Sequence, residues 1–183
     1  MGASWWSART PYQSDVRAAL RQARQDAYDR GDFCRDEPSA EALAMTEEEY
    51  VARHMADMLA DLPQELLDEA WEPEDSEIRE EWRAAHVKVT GPDTLLDAQP
   101  FSGTHSVIDM VGVGDEPGER LVTPLPGETL DELFGTRRPS VAAVEEAVGR
   151  CGIDGFGRDQ GAYLVAHDGD RPAFIYFGGH SGD

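Results

Sequence analysis

The chain has 183 residues, 40% of them apolar and 8% aromatic, enough to build one ordinary domain with a core and too much for disorder throughout. Acidic residues number 37 against 16 basic ones, a formal charge of −21, and such a field repels a phosphate backbone, which excludes ordinary nucleic-acid binding. No run of about eighteen apolar residues offers a membrane span, and the two cysteines, Cys34 and Cys151, form neither a disulfide framework nor a CxxC zinc pair.

Trp5 to Tyr12 is aromatic and β-branched enough for a short strand, and Pro11 predicts its end or an edge position. In an extended strand, Trp5 and Trp6 would face opposite ways. A helix follows, capped by Ser14, carrying Val16, Ala19, Leu20, Ala23 and Ala27 at helical spacing and closed by Gly31. Residues 32–45 read as a loop. Thr46 and Glu49 then form a capping box, with Met45 and Tyr50 at the positions of a hydrophobic staple. Tyr50, Val51, Met55, Met58, Leu59 and Leu62 make one apolar face, ended by Pro63. Further helices are predicted from Gln64 to Trp71 and from Ser76 to His86, the latter with Ile78 and Trp82 inward.

From His86 the period turns from helical to alternating. Val87–Thr90 and Val107–Val111 read as strands, Pro92–Leu96 as a turn or short helix, and Leu121–Leu125 as a further strand. Thr129 and Glu132 suggest a capping box for a helix with Leu130, Leu133 and Phe134 inward, stopped by Gly135. Ser140 caps a helix bearing Val141, Val144 and Val148. Ala162–Ala166 and Ala173–Phe177 flank an Asp-Gly turn and predict a hairpin, its second arm central because both of its faces are apolar. The pattern gives a single α+β domain over residues 1–183, with a mixed or antiparallel sheet of four to six strands. Residues 1–86 are its mainly helical, acidic half and 87–183 its strand-rich half.

Familiar catalytic motifs are missing: there is no GxxxxGK[ST], GxGxxG, HExxH, GxSxG or EF-hand loop. No cofactor or metal is implied. The tetrapeptide Gly-x-His-Ser does occur twice, at Gly103–Ser106 and Gly178–Ser181. If the neighbouring strands are antiparallel and adjacent, His105 and His180 meet at one rim, where imidazoles could act as acid, base or ligand. Asp109, placed on the same strand face as Val107 and Val111, would orient them and would need a partner such as His105 or an arginine. The plainer reading gives all three structural roles, fixing loops and capping turns. His54 and His86 occupy ordinary helix positions, and both cysteines read as inert thiols.

Charge is concentrated: residues 26–81 hold 20 acids against four arginines, a net of −16. Such a run is either a solvated helix face or an acidic docking surface. The first alternative for function is therefore an interaction protein, of inhibitor or immunity type, that masks a basic protein partner through Glu47, Glu48, Glu49, Asp57 and Asp61. It would bind no nucleic acid and no membrane, and nothing in the pattern sets an oligomeric state. The second is a small enzyme using His105, Asp109 and His180.

Met1–Trp6 with Thr10-Pro11-Tyr12, Ser102–Met110, Leu133–Thr136 and Phe177–Asp183 resemble the corresponding stretches of a set of actinobacterial, Streptomyces-type cytoplasmic proteins. The resemblance covers nearly the whole chain. It implies a source and a cytoplasmic location, the latter also expected from the lack of a basic segment followed by an apolar stretch at the N-terminus. No activity comes with it.

Overall fold

The computed structural model describes residues 4–60, 75–151 and 157–181. In chain order these form β1 (Trp5–Pro11), α1 (Val16–Arg30), α2 (Ala40–Ala44), α3 (Glu47–Ala60), α4 (Ser76–Ala85), α5 (Pro92–Asp97), a 3-10 turn (Val107–Asp109), β2 (Gly112–Val113), β3 (Leu121–Pro124), α6 (Gly127–Phe134), α7 (Val141–Cys151), β4 (Gln160–Asp168) and β5 (Arg171–His180). The expected helix over Gln64–Trp71, together with Leu62 and Pro63, lies outside the described residues.

The five strands make one mixed sheet in the order β1-β5-β4-β3-β2. β1 and β4 run antiparallel to β5, whereas β2 pairs parallel with β3 and β3 parallel with β4. The fold is thus α+β with a sheet of the expected size, and the hairpin's second arm occupies the predicted interior position. Pro11 ends the edge strand β1, where its missing N–H breaks no ladder.

Alternation along the strands divides the core in two. On one face Trp6, Ile175, Phe177 and Val122 pack under Leu20, Ala23 and Ala27 of α1, with Ile108 and Met110 from the 3-10 region and Leu95 of α5. On the other, Ala162, Leu164, Ala166 and Tyr176 meet Val144 of α7, with Leu130 and Phe134 of α6. The tryptophan pair divides as its alternation requires: Trp6 is buried on the first face and Trp5 packs on the second. Both indoles need glycines opposite them. A Cβ on Gly179 would sit 2.5 Å from the Trp6 ring, and one on Gly178 would sit 2.7 Å from that of Trp5. The closing Phe-Gly-Gly-His segment is therefore the floor on which both indoles lie.

Asp15, not Ser14, caps α1: its carboxylate accepts from the N–H of Arg17 and Ala18, and Gly31 ends the helix at φ 67°. The span read as a loop contains α2, started by the Ser39 hydroxyl. The Thr46–Glu49 capping box forms at the head of α3, and Tyr50 and Val51 are buried behind it, while Met58 is exposed. Val87–Thr90 is no strand. It leads into α5, where the Thr94 hydroxyl accepts from the N–H groups of Thr90 and Gly91. The helix expected from Thr129 begins at Gly127 with Pro126 at its cap, so Thr129 lies inside it, and Leu133 points outward.

Helices α2, α3 and α4 pack on one another. The Trp82 indole N–H donates to the Met45 carbonyl at 3.0 Å, and Glu47 receives Arg79 at 3.2 Å and Arg83 at 2.7 Å. Partial burial pushes the Glu47 carboxyl up, but the hydrogen bonds from Arg83 and Arg79 outweigh it and hold the group below its usual range. Asp75 is likewise lowered, chiefly by its hydrogen bond from Arg79. Carboxyls depressed in the fold add stability that is complete above their unfolded values and lost as pH falls through the folded ones. The α3–α4 contact should thus loosen below about pH 4. In Arg79→Ala that contact is expected to be loose already at pH 7, so that the acid step in tryptophan fluorescence shrinks; an unchanged step would count against this account.

Candidate functional site

Asp109 is the hub of the segment that sequence reading singled out, though by a different geometry from the one expected. Val107–Val111 does not run as a strand. Ser106 caps a 3-10 turn, its hydroxyl accepting from the Ile108 N–H, while Asp109 accepts from the Ser106 N–H in return. The pattern Ser-x-x-Asp is itself a capping box, and in the sequence it was masked by the alternating apolar residues around it.

Asp109 is 4% exposed. Its Oδ1 accepts from the Thr104 backbone N–H at 2.7 Å and the Thr104 hydroxyl at 2.9 Å; its Oδ2 accepts from the Ser106 N–H at 3.2 Å and the Ser181 hydroxyl at 3.3 Å. A carboxylate offers about four lone-pair directions, and here each has a donor. The expected partners, His105 or an arginine, are replaced by hydroxyls and backbone amides, while Arg120 donates to the Asp109 carbonyl instead. So saturated, Asp109 is built to hold the 103–106 loop and the end of β5 together; it has no vacant acceptor with which to orient a base.

The two Gly-x-His-Ser segments do meet, through their serines and backbone. Ser181 reaches Asp109, its N–H donates to the Ser4 carbonyl at 3.0 Å, and the Ser4 hydroxyl is hydrogen-bonded to His105 Nδ1 at 3.0 Å. The imidazoles take different surroundings. His180, paired with Trp5 across the ladder, packs edge-on against that indole at 5.6 Å between centroids. His105 stands at φ 54°, in the left-handed region just after Gly103 at φ 64°, and lines a cavity of about 570 Å³ with Trp6, Cys34 and Ser106. The buried Trp6 Nε1 in the same wall has no acceptor among the described residues. His54 and His86 fold back on their own helices, to the carbonyls of Tyr50 and Trp82.

Arg24 was not singled out in the sequence, although it falls among Leu20, Ala23 and Ala27 on the inner stripe of α1. It is buried, donates from Nε to the Ile108 carbonyl at 3.0 Å, and places Nη2 2.7 Å from Asp93 in an ion pair without hydrogen-bond alignment. It therefore ties α1 to both the 3-10 turn and α5.

The expected acidic surface is smaller than its sequence. Glu47 is withdrawn from it, 20% exposed and paired with two arginines, and Glu49 is engaged as the return half of its capping box. Glu49 is held below its usual range by the Thr46 backbone N–H first and the Thr46 hydroxyl second. Glu48 and Asp57 remain exposed and without an arginine partner among the described residues; Asp61 lies outside them. Glu77 and Glu80 of α4, not singled out before, are exposed in the same unpaired way. Among the described residues no helix is long and apolar enough to cross a membrane, and no group of three His, Cys, Asp or Glu side chains could hold a metal ion.

Comparison with known protein families, with curated proteins and with solved structures finds no match to this chain.

Proposed function

We infer that this chain is an acidic cytoplasmic interaction protein, of inhibitor or immunity type, that captures a basic protein partner through the outer faces of α3 and α4. The observation carrying this reading is that Glu48, Asp57, Glu77 and Glu80 stand exposed and unpaired among the described residues on two helices that pack together. The whole chain bears −21 charges. A field of that sign speeds encounter with cationic surfaces and orients them on approach. The saturation of Asp109 supports this reading over the enzymatic one, because the only buried carboxylate of the candidate catalytic set is committed to structure.

Location can be separated from bulk charge by two variants of equal net charge. In one, Glu48, Asp57, Glu77 and Glu80 become Lys; in the other, Glu116, Glu128, Glu132 and Asp168 do. Binding of a decalysine peptide, measured at low and high salt, should weaken more and lose more of its salt dependence in the first variant. Equal losses would show that net charge alone is responsible and would remove the assignment to α3 and α4. The second reading, a small enzyme, is favoured by one observation: His105 and the unpartnered Trp6 Nε1 line the same cavity. His105→Ala should leave decalysine binding unchanged.

A further inference from the structure

A second cavity, of about 250 Å³, opens where the α2–α4 cluster meets the segment after α5, just under the roughly 300–1,000 Å³ typical of ligand sites. Its apolar wall includes Val87, Pro100 and Phe101, the last 57% exposed. Its charged wall carries Asp36, Glu37 and Glu81 against Arg35. Burial first, and the neighbouring Glu81 carboxyl second, push the Tyr50 phenol up to about 12, which marks this end of the cavity as negative.

Gln99 decides what this cavity asks for. The side chain lines it and is 6% exposed. Its Nε2 donates to the Gly103 carbonyl at 2.7 Å and the Cys34 carbonyl at 3.4 Å. Two carbonyls fix which end of the planar amide is nitrogen, since an oxygen turned to them would meet acceptors only. The other end, Oε1, is buried and meets no donor among the described residues. A buried acceptor left unmade is costly, and native structures rarely leave one without a reason.

We propose that this cavity binds a small organic ammonium ion, a primary amine on a single ring or short alkyl stem. Its N–H groups would serve Gln99 Oε1 and the Glu81 carboxylate, while its apolar body packs on Phe101, Pro100 and Val87. A carboxylate or phosphate ligand would bring only acceptors to an unserved acceptor and would face three carboxylates against one guanidinium. A neutral alcohol would satisfy Gln99 and forgo the charge. None of Glu48, Asp57, Glu77 and Glu80 lines this cavity, so the proposal stands independently of the interaction reading.

The test uses the full chain and benzylamine at pH 7, followed by calorimetry and by amide shifts in heteronuclear spectra, with benzyl alcohol as the uncharged control of the same shape. Saturable binding of benzylamine is expected, with shifts at Gln99 and Phe101 and an affinity at least about tenfold above that of benzyl alcohol. Phe101→Ala, an exposed position that leaves the core untouched, should weaken benzylamine about tenfold, and Glu81→Gln should bring the amine and the alcohol closer together. Gln99→Met should weaken the amine, with thermal melting run alongside because the amide also anchors two loop carbonyls. Absent saturation, equal affinity for alcohol and amine, or an unchanged affinity in Phe101→Ala would each overturn the proposal, and none of these requires the Gln99 variant to fold.

Discussion

Replacing Asp109 by Ala should unfold this protein at a markedly lower temperature than any surface substitution. Its carboxylate is the sole partner shown for the backbone N–H of Thr104 and of Ser106, both in a buried segment, and it also receives the hydroxyls of Thr104 and Ser181. Leaving a buried donor unserved costs about 1–3 kcal/mol, and the hydroxyls can turn elsewhere while the amides cannot. A loss of about 4 kcal/mol follows, which for a chain of this length lowers Tm by roughly 10 °C. Asp109→Asn should fall between the two: the amide keeps the shape and one acceptor oxygen, but its NH₂ confronts a pair of donors. Calorimetric melting of the three proteins orders them, and an Ala variant as stable as the parent would remove Asp109 from its position as hub.

The second large effect is expected at Gly179, in the interior strand β5. A Cβ there would stand 2.4 Å from the backbone oxygen of Gln160 and 2.5 Å from the Trp6 ring. The first neighbour belongs to the adjacent strand and the second lies on the core face, so neither moves without shifting the sheet. Overpacking of this kind costs typically 1–3 kcal/mol and occasionally more; with backbone as the obstacle we expect about 3 kcal/mol for Gly179→Ala. Gly31→Ala provides the contrast. Its φ is 67° but a Cβ would find nothing within 4 Å, so it carries only the left-handed penalty of about 1–2 kcal/mol. Denaturant midpoints that place Gly31→Ala below Gly179→Ala would contradict the packing assigned to the two indoles.

Local chemistry was legible at several caps and turns, though not at Ser14, Thr129 or Ser39. The Thr46–Glu49 box, the terminators Gly31 and Gly135, the Ser140 cap and the Asp168–Gly169 turn all appear where the sequence places them. Each depends on hydrogen bonds or φ values within a few residues. Failures came where two local signals competed. Val107–Val111 alternates like a strand and also opens with Ser-x-x-Asp; the cap prevailed because Thr104 and Ser181, one of them 72 residues away, supply the remaining donors to Asp109. Val87–Thr90 has β-branched residues but pairs with no strand; it leads into α5, where the Thr94 hydroxyl accepts from the N–H groups of Thr90 and Gly91.

The candidate site shows the same division. The Gly-x-His-Ser segments were expected to meet through adjacent antiparallel strands; Val107–Asp109 is a 3-10 turn instead, and the segments meet through Ser181, Ser4 and Asp109. Which side chains carry the contact depends on register: His180 falls opposite Trp5, so the serine beside it faces the carboxylate. Charge behaves likewise, since a residue count cannot tell the paired Glu47 from the exposed Glu48 next to it.

By itself the sequence determined the sign and position of the charge, the α+β class, the cap of α3 and the interior place of the last strand, because composition, hydrophobic period and capping act over short separations. Tertiary structure alone decided which carboxylates are spent on internal arginines, that Asp109 is saturated, that Gly178 and Gly179 make room for the two indoles, and that Gln99 keeps an unserved acceptor at a cavity wall. Each of these depends on distances between groups far apart in the chain, and those distances are set by sheet register and helix packing.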